Sequence, residues 1–294
     1  MRSGTHGPKR RGDEALDEVQ AGNRRWWEQA PMVYDWGSMA PGDRDVAWFE
    51  EQDRLNIDAH RFFATERIPF DRLIPFSQLG GKEVLEIGVG SGFHSELMAR
   101  AGARVTGIDL TETAIAMTRH RFALKELTGR FEPWDAEHRR PDFERRFDFV
   151  WSWGVIHHSA RTARIVRNVS EWLTDSGRFA GMVYHRDSMN AAVALLLDGI
   201  CRLKLLSQSV DETLWRGTDG FSARFYPADQ WRDLLLGFFD DASVRVTGSE
   251  GDILPLPRIV RRQLIRWISP QRSARILGRV GTFATFDARN PLRS

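Results

Sequence analysis

Residues 84–102, VLEIGVGSGFHSELMARAG, predict a buried strand, a glycine-rich turn and a helix in that order. Gly88, Gly90 and Gly92 allow positive φ angles and let another molecule approach the backbone closely. The first turn of the following helix presents N–H groups that have no partner within the helix. The stretch therefore predicts a nucleotide-binding turn at the end of a strand.

The details of this turn differ from a dinucleotide-binding fingerprint. Phe93 stands where that fingerprint has its third small residue, and Glu86 lies two residues before the first glycine. A pyrophosphate favours a site free of negative charge, whereas a carboxylate favours a ligand that carries an ammonium group. S-adenosylmethionine carries such a group, so the turn points away from NAD and towards S-adenosylmethionine.

Three further segments are predicted to reach the same edge of a parallel sheet. Asp109 ends the strand ARVTGID, where its carboxylate can accept from two ribose hydroxyls. Asp135, beside Ala136, follows the third strand and can accept from an adenine amino group. The fourth strand ends in the loop that begins near Trp153. Ligands of open parallel sheets bind where the carboxyl ends of the strands meet, so one crevice is expected.

Together these motifs resemble those of the Rossmann-type (class I) S-adenosylmethionine-dependent methyltransferases, of the kind that act on small molecules and natural products. The matching features are ExGxGxG at 86–92, the acids at 109 and 135, and SWGVIHHS at 152–159. The resemblance covers residues 80–186 closely and implies S-adenosyl-L-methionine as cofactor. It assigns the following residues to cofactor contact: Glu86, Gly88, Gly90, Gly92, Asp109, Leu110, Asp135, Ala136 and Trp153.

The rest of the pattern predicts an α/β fold. Short apolar runs alternate with helical segments from Lys82 to about His185, which indicates a parallel sheet with helices on both faces. Strands at 242–248 and 281–289 would complete the seven-stranded, mostly parallel sheet of that family, with its antiparallel last strand. The predicted divisions are a loose basic tail (1–24), a helical N-terminal lid (25–80), the cofactor-binding core (81–186), a substrate-cap insertion (187–226) and a region that completes the core (227–294).

Composition sets further limits on the class of protein. The chain has 294 residues, a formal net charge of +2 and a single cysteine, Cys201, so it cannot form an intrachain disulfide. Its longest apolar run, residues 191–197, is far shorter than the roughly 20 residues of a membrane span. No secretory signal pattern follows the N-terminal charges. The sequence therefore predicts a cytoplasmic protein without a membrane span, and no metal site is predicted.

Side chains that could accept a proton or bind the methyl acceptor can also be nominated. His157, His158, Tyr184 and His185 end the fourth and fifth strands and are the candidate catalytic residues, with His158 favoured. Packing without a catalytic role is the competing interpretation for each. The candidate acceptor-binding residues are Tyr34, Trp36, Trp215, Phe221 and Tyr226.

The C-terminal part of the chain is strongly basic. Residues 258–294 contain nine arginines and one acid, and residues 255–279 predict a helical segment with an arginine face. A solvated outer face, an anionic acceptor, a subunit contact such as a homodimer, a membrane surface and RNA are the alternatives for this segment.

The sequence thus predicts methyl transfer to a small-molecule acceptor, at oxygen. Methylation at carbon or nitrogen of a quinone, terpenoid or other natural product is an alternative. An RNA methyltransferase and a non-catalytic S-adenosylmethionine-binding partner subunit are two more. The absence of a DPPY or NPPY tetrapeptide after the fourth strand weighs against methylation of nucleic-acid bases.

Overall fold

The predicted alternation of strands and helices is present in a computed structural model that describes residues 11–29, 43–60, 69–215, 220–256 and 258–293. The strands are β1 (Glu83–Ile87), β2 (Arg104–Asp109), β3 (Arg130–Pro133), β4 (Phe147–Trp153), β5 (Leu173–His185), β6 (Phe225–Tyr226), β7 (Phe239–Thr247) and β8 (Phe283–Pro291). The helices are α1 (Arg11–Gln29), α2 (Val46–Ala59), α3 (Phe93–Arg100), α4 (Glu112–Leu124), α5 (Thr162–Trp172), α6 (Met189–Ala194), α7 (Val210–Trp215), α8 (Ala228–Leu236), α9 (Glu250–Ile253), α10 (Arg258–Leu264) and α11 (Pro270–Val280).

The main sheet has the order β3-β2-β1-β4-β5-β8-β7. Strands β1 to β5 run parallel, and β8 is antiparallel to both β5 and β7. The predicted mostly parallel sheet with an antiparallel last strand is therefore confirmed. A two-residue strand, β6, also pairs with the end of β5. Strand order reverses between β1 and β4, which is where open sheets of this kind form a crevice.

Apolar side chains cover both faces of the sheet. Neighbouring residues of one strand belong to different core clusters: Val84 packs in one and Leu85 in the other, and the same holds for Phe149 and Val150. Side chains alternate across a strand, so a nearly continuous apolar strand must be buried on both sides. These buried strands form a rigid base for the loops at their carboxyl ends.

Residues 11–24 form most of α1, where a loose tail was predicted. The segment is polar, and its order comes from contacts with distant parts of the chain. Asn23 is buried and donates from Nδ2 to the backbone oxygen of His158 at 2.5 Å. Arg161 contacts the Asp17 carboxylate at 2.8 Å. Such partners cannot be read from local composition, and residues 1–10 lie outside the described part of the chain.

The other predicted divisions contain further helices. Helix α2 belongs to the predicted N-terminal layer, and Asp45 caps its first turn by accepting from the backbone N–H of Trp48 at 2.8 Å. The insertion after β5 contains α6, a π-helix at 195–201 and α7. In the C-terminal region, α9 to α11 lie between β7 and β8.

Candidate functional site

A cavity of about 400 Å³ lies at the carboxyl ends of β1, β2 and β4. Its walls include the loops that follow these strands and the turn after β3. The structure therefore brings the four predicted segments together in one place. The sequence-predicted cofactor residues that line it are Gly88, Gly90, Asp109, Leu110, Asp135, Ala136 and Trp153.

The glycine turn has three positions with positive φ, and each has a different reason to lack a side chain. At Gly88 (φ 80°) a Cβ would lie 2.2 Å from the Val155 side chain. At Gly92 (φ 79°), which caps α3 and does not line the cavity, a Cβ would lie 2.9 Å from Thr118. At Gly90 (φ 52°) a Cβ would meet nothing within 4 Å. Gly90 is the position where the backbone itself borders open space.

Asp109 lies at the end of β2 and faces the cavity. Its Oδ1 accepts from the backbone N–H of Thr111 at 3.0 Å and from the Thr111 hydroxyl at 2.9 Å. Its Oδ2 accepts from the N–H of Gly90 at 3.3 Å, which ties the carboxylate to the glycine turn. Burial raises the pKa of Asp109, while these hydrogen bonds oppose the rise. The carboxylate is thus held at a fixed place on the cavity wall.

Asp135 is held in a similar way in the turn after β3. Its Oδ1 accepts from the backbone N–H of Glu137 at 2.9 Å. Gln20 of α1 donates from Nε2 to both carboxylate oxygens, each at 3.1 Å. Trp134 and Ala136 line the cavity on either side of Asp135. A carboxylate between an indole and a methyl group suits a flat ring that carries an amino group.

Glu86, predicted to contact the cofactor, does not line the cavity. The carboxylate is buried below the glycine turn, where Oε2 accepts from the Ser95 hydroxyl and Oε1 lies 3.4 Å from Nδ1 of His94. Both partners lie in the first turn of α3. The sequence spacing did not show that these side chains would compete with a ligand for the carboxylate. His94, in turn, does line the cavity.

Two of the four candidate catalytic residues line the cavity, namely His158 and Tyr184. Nδ1 of His158 lies 2.7 Å from the backbone oxygen of Ser222. A carbonyl can only accept, so Nδ1 carries the proton and Nε2 the lone pair of the neutral ring. The His158 ring also packs edge-on against Trp27 of α1, with centroids 5.1 Å apart.

The other two candidates lie in the protein interior and not on the cavity wall. His157 is fully buried and packs on the ring of Tyr184 at 3.9 Å. Burial, and next the charge of neighbouring His158, hold the pKa of His157 well below its ordinary value. His185 directs Nδ1 at the backbone oxygen of Gly281, 3.0 Å away. Both side chains have packing roles in this geometry.

None of the described candidate acceptor residues lines the cavity. Phe221 packs beside Gly22 of α1, where a Cβ would lie 2.3 Å from its ring. Tyr226 packs against Trp231 at 4.8 Å, and burial raises its pKa. Trp215 ends α7 away from the cavity wall. Tyr34 and Trp36 lie outside the described residues.

Helices α1 and α2 form much of the cavity wall: α2 and the end of α1 lie in the predicted N-terminal lid (25–80), whereas residues 11–24 of α1 were predicted to be a loose tail. Helix α1 contributes Gln20, Asn23 and Trp27, and α2 with its C-terminal cap contributes Gln52, Asp53, Asn56 and His60. Gln52, Asn56 and His60 recur at intervals of four residues and Asp53 is next to Gln52, so the α2 set lies on one helical face. This stripe of polar residues was the feature of the sequence that could have indicated a role of α2 in the site. It could not show what the stripe would face.

His60 is the most unusual of these residues. Nδ1 lies 2.9 Å from the backbone oxygen of Asn56, so the neutral ring carries its proton on Nδ1. Burial lowers the pKa of His60 from 6.5 to about 4, although the hydrogen bond that Nδ1 donates to Asn56 opposes this shift. The imidazole is therefore neutral at pH 7 and bears a lone pair on Nε2.

Aromatic rings form one continuous wall of the cavity. Successive centroids lie 5.1 to 6.4 Å apart. In order, the rings are Trp27, His158, Tyr184, Phe283, Trp153 and His60.

The charged groups of the cavity are all acidic. Three carboxylates line it, those of Asp53, Asp109 and Asp135, and no lysine or arginine does so among the described residues. Asp53 is neutralised by Arg121, whose Nη2 lies 2.6 Å from Oδ2. Two acids remain for a ligand, and a cationic ligand is favoured over an anionic one.

Comparison with known proteins matches these features to one family. Residues 84–177 match the family described as "Methyltransferase domain". This segment is a methyltransferase domain. It contains β1 to β4, the start of β5, the glycine turn and both cavity acids, Asp109 and Asp135.

Curated and solved proteins extend the comparison. The methyltransferase domain resembles the ubiquinone biosynthesis O-methyltransferase of Coxiella burnetii, with 30% identity over 100 residues, or 34% of this chain and 42% of that one. The chain thus spans less than half of that relative. The fold is similar to that of Haemonchus contortus phosphoethanolamine N-methyltransferase 2 in complex with S-adenosyl-L-methionine (TM-score 0.52, 16% identity, 88% of this chain and 62% of that one). It is also similar to that of the [4+2]-cyclase SpnF (TM-score 0.50, 16% identity, 96% and 93%).

The two proteins with similar folds are named for different reactions. At such low identity they show only that the methyltransferase domain and the elements around it share a fold. The reaction has to be argued from the cavity itself.

Proposed function

We propose that the chain is an S-adenosylmethionine-dependent methyltransferase that transfers a methyl group to an oxygen atom of an uncharged small molecule. The observation that carries this proposal is the charge of the cavity. Asp109 and Asp135 face it without cationic partners on its described walls. A sulfonium ligand with an ammonium group suits such a site, whereas the pyrophosphate of NAD does not.

The described residues fit the cofactor at three points. Asp109 can accept from the two ribose hydroxyls, since its carboxylate is already fixed by Thr111 and Gly90. Gly90 leaves space at the turn that a side chain would fill. Asp135 can accept from the adenine amino group between Trp134 and Ala136.

The cofactor supplies an electrophilic methyl group on sulfur; a bond from acceptor oxygen to this carbon forms as the sulfur–carbon bond breaks. The chain's contribution is alignment of the acceptor and exclusion of water, which contributes up to roughly 7–11 kcal/mol in well-aligned systems. Helices α1 and α2 cover the cavity with Trp27, Asn56 and His60. The aromatic wall suits a flat acceptor.

A hydroxyl acceptor must lose its proton during the transfer. His158 and His60 both line the cavity with Nδ1 directed at a backbone oxygen, which leaves the lone pair on Nε2. Either imidazole can take the proton at Nε2. Tyr184, beside His158, can hold the acceptor hydroxyl in place. The absence of lysine and arginine from the described walls weighs against the anionic acceptor that the basic C-terminus suggested.

The test is calorimetric titration of the chain with S-adenosylmethionine, S-adenosylhomocysteine and NAD in parallel. We expect micromolar binding of the first two and none of NAD. Incubation with methyl-labelled cofactor and a metabolite extract, followed by mass spectrometry, then identifies the acceptor and its methylated atom. Binding of NAD alone would overturn the cofactor assignment. Cofactor binding without transfer to any metabolite would favour a non-catalytic subunit, and a labelled carbon or nitrogen would correct the acceptor atom.

A further inference from the structure

Helix α10 carries apolar side chains on its outer face. Ile259 and Trp267 are 80% and 79% exposed, and Val260 and Leu264 between them are also exposed. These four residues, here called the α10 stripe, recur at helical spacing along α10 and the short 3₁₀ turn that follows it, and so lie on one side. The buried side is small: Ile265 packs in a cluster with Ile253 and Leu277. A helix normally buries its larger apolar face. On α10 that face is exposed, so it is available for contact with another molecule.

The segment that carries the α10 stripe is rich in arginine. Residues 258–280 contain seven arginines and no acidic residue. Arg266 is exposed beside Trp267, and Arg272, Arg275 and Arg279 are exposed on one face of α11. Arg261 lies 3.8 Å from the Glu250 carboxylate of α9, so the charge available to an external partner is that of Arg266 and of the α11 arginines.

A second group of exposed apolar residues lies on an adjoining element. Leu197, Ile200 and Leu203 in and just after the π-helix that follows α6 are each more than half exposed. Helix α9 joins the two regions: a Cβ at Gly251 would lie 3.4 Å from Nη1 of Arg261 and 4.0 Å from Oδ1 of Asn190 in α6. Exposed apolar residues are thus present on α10 and directly after α6, and both of these helices contact α9.

We propose that the α10 stripe and the arginines of α11 dock on an anionic lipid surface. Exposed tryptophan and aliphatic side chains beside arginines are the chemistry of helices that lie in the membrane interface. Anionic headgroups complement the arginine charge. A second copy of the chain is less favoured, because its arginines would face those of the first copy. A nucleic acid is also less favoured, because it would leave the aliphatic side chains exposed to water. Among the described helices none is long and apolar enough to span a bilayer, so the contact is interfacial.

The surface lies close to the cavity. Ser249 lines the cavity and is also the N-cap of α9, which leads into α10. Thr282, next to the cavity residue Phe283, accepts from Asn190 Nδ2 at 2.8 Å. Docking through α10 would therefore bring the lipid surface near the active site, although the docking proposal itself does not depend on the proposed methyl transfer.

The test is co-sedimentation of the full chain with vesicles of phosphatidylcholine, alone or with about 30% phosphatidylglycerol, in about 0.1 M and about 1 M salt. We expect binding to the anionic vesicles at low salt only. Arg272→Glu/Arg275→Glu/Arg279→Glu should weaken it roughly a hundredfold. Ile259→Glu/Trp267→Glu should weaken it at least about tenfold.

Leu292→Glu is the matched control, because Leu292 is half exposed outside this surface and should leave vesicle binding unchanged. Cofactor affinity and melting temperature should be the same in all variants, which separates lost docking from misfolding. Equal binding to neutral vesicles, or binding unaffected by both multiple variants, would overturn the proposal. So would a dimer in solution that Ile259→Glu/Trp267→Glu dissociates, because the stripe would then be a protein contact.

Discussion

The side-chain amide of Gln20 donates to both carboxylate oxygens of Asp135, 115 residues away in the chain. This contact anchors α1 over the end of the cavity that suits an adenine ring. Oε1 of the same amide accepts from the backbone N–H of Ala160 at 3.2 Å. Glu28, further along α1, accepts from the N–H groups of Glu112 and Thr113 and so caps α4 from outside it. These contacts add to those of Asp17 and Asn23, so α1 is held at several places along its length.

Gln20→Glu should release the first of these anchors. A second carboxylate would then face Asp135, and like charges at hydrogen-bond distance repel. We expect faster hydrogen exchange throughout α1, while β1 and β4 keep their protection. Exposed Gln230 supplies the control, since Gln230→Glu should leave exchange in α1 unchanged. An unchanged exchange rate in Gln20→Glu would contradict the anchoring role.

Asp109→Ala should weaken S-adenosylmethionine binding by about 1–3 kcal/mol, or roughly 10- to 100-fold. The substitution leaves ribose hydroxyls without an acceptor inside the cavity. Asp240→Ala, which removes an exposed carboxylate, should change nothing. Calorimetric titration measures both variants. Equal affinity of Asp109→Ala and the unaltered chain would remove Asp109 from the cofactor site.

Gly90→Ala tests the space at the glycine turn. Alanine at positive φ costs about 1–2 kcal/mol of folding stability, and the added methyl group would occupy open space at the cavity. Gly81→Ala is a matched control, because Gly81 also has positive φ (72°) and nothing within 4 Å of its Cβ, but lies outside the cavity. Urea unfolding should show similar losses for both variants. Only Gly90→Ala should lose cofactor affinity, and parallel affinities would refute the assignment of this space.

His60 predicts a specific pH dependence of folding stability. Below its ordinary pKa of 6.5 the unfolded imidazole takes up a proton, whereas the folded one does so only near pH 4. The unfolded state therefore binds more protons in this interval, and stability falls by about 3 kcal/mol as the pH drops from 6.5 to 4. His60→Phe should remove this part of the fall, measured by urea unfolding at several pH values. Exposed His138→Gln should keep it, and equal pH slopes in all three proteins would contradict the burial of a neutral His60.

Replacing a histidine that lines the cavity should lower kcat, whereas replacing an interior histidine should lower the melting temperature. If His158 takes the acceptor proton, His158→Asn should lower kcat by about 10²–10⁴-fold with cofactor affinity kept. His60→Asn tests the second imidazole in the same assay. His185 packs outside the cavity, so His185→Asn should lower the melting temperature and leave kcat within about twofold. A loss of kcat in His185→Asn with normal stability would mean that the cavity assignment is wrong.

Local pattern predicted the scaffold of this protein. The glycine turn at 88–92, Asp109 and the alternation of strands and helices follow from backbone sterics and side-chain periodicity, which act over a few residues. These features determine the sheet, and the sheet brings the carboxyl ends of its strands together. The convergence of Gly90, Asp109 and Asp135 on one cavity could therefore be expected before the fold was known.

The direction of individual side chains was decided by tertiary contacts. His157 and His158 are adjacent in sequence, where His158 was favoured as the catalytic residue; His157 is fully buried against Tyr184, and His158 lines the cavity. Glu86 bonds to the first turn of α3 and does not line the cavity. Each outcome depends on which groups compete for a side chain, and the competitors become known only when the chain is folded.

The contacts that hold α1 and α2 over the cavity could be known only from the tertiary structure. Gln20 lies in the segment predicted as a loose tail, and His60 lies in the predicted N-terminal lid, whose place over the crevice was expected but whose contacts were not. Gln20 bonds to Asp135, which is 115 residues away in the chain. His60 packs against Trp153 and Phe283, which belong to two different strands. The sequence by itself determined the strands and the acids at their ends, because these depend on local periodicity. Which helices close the site, and which imidazoles face it, was decided by long-range hydrogen bonds and burial that exist only in the packed chain.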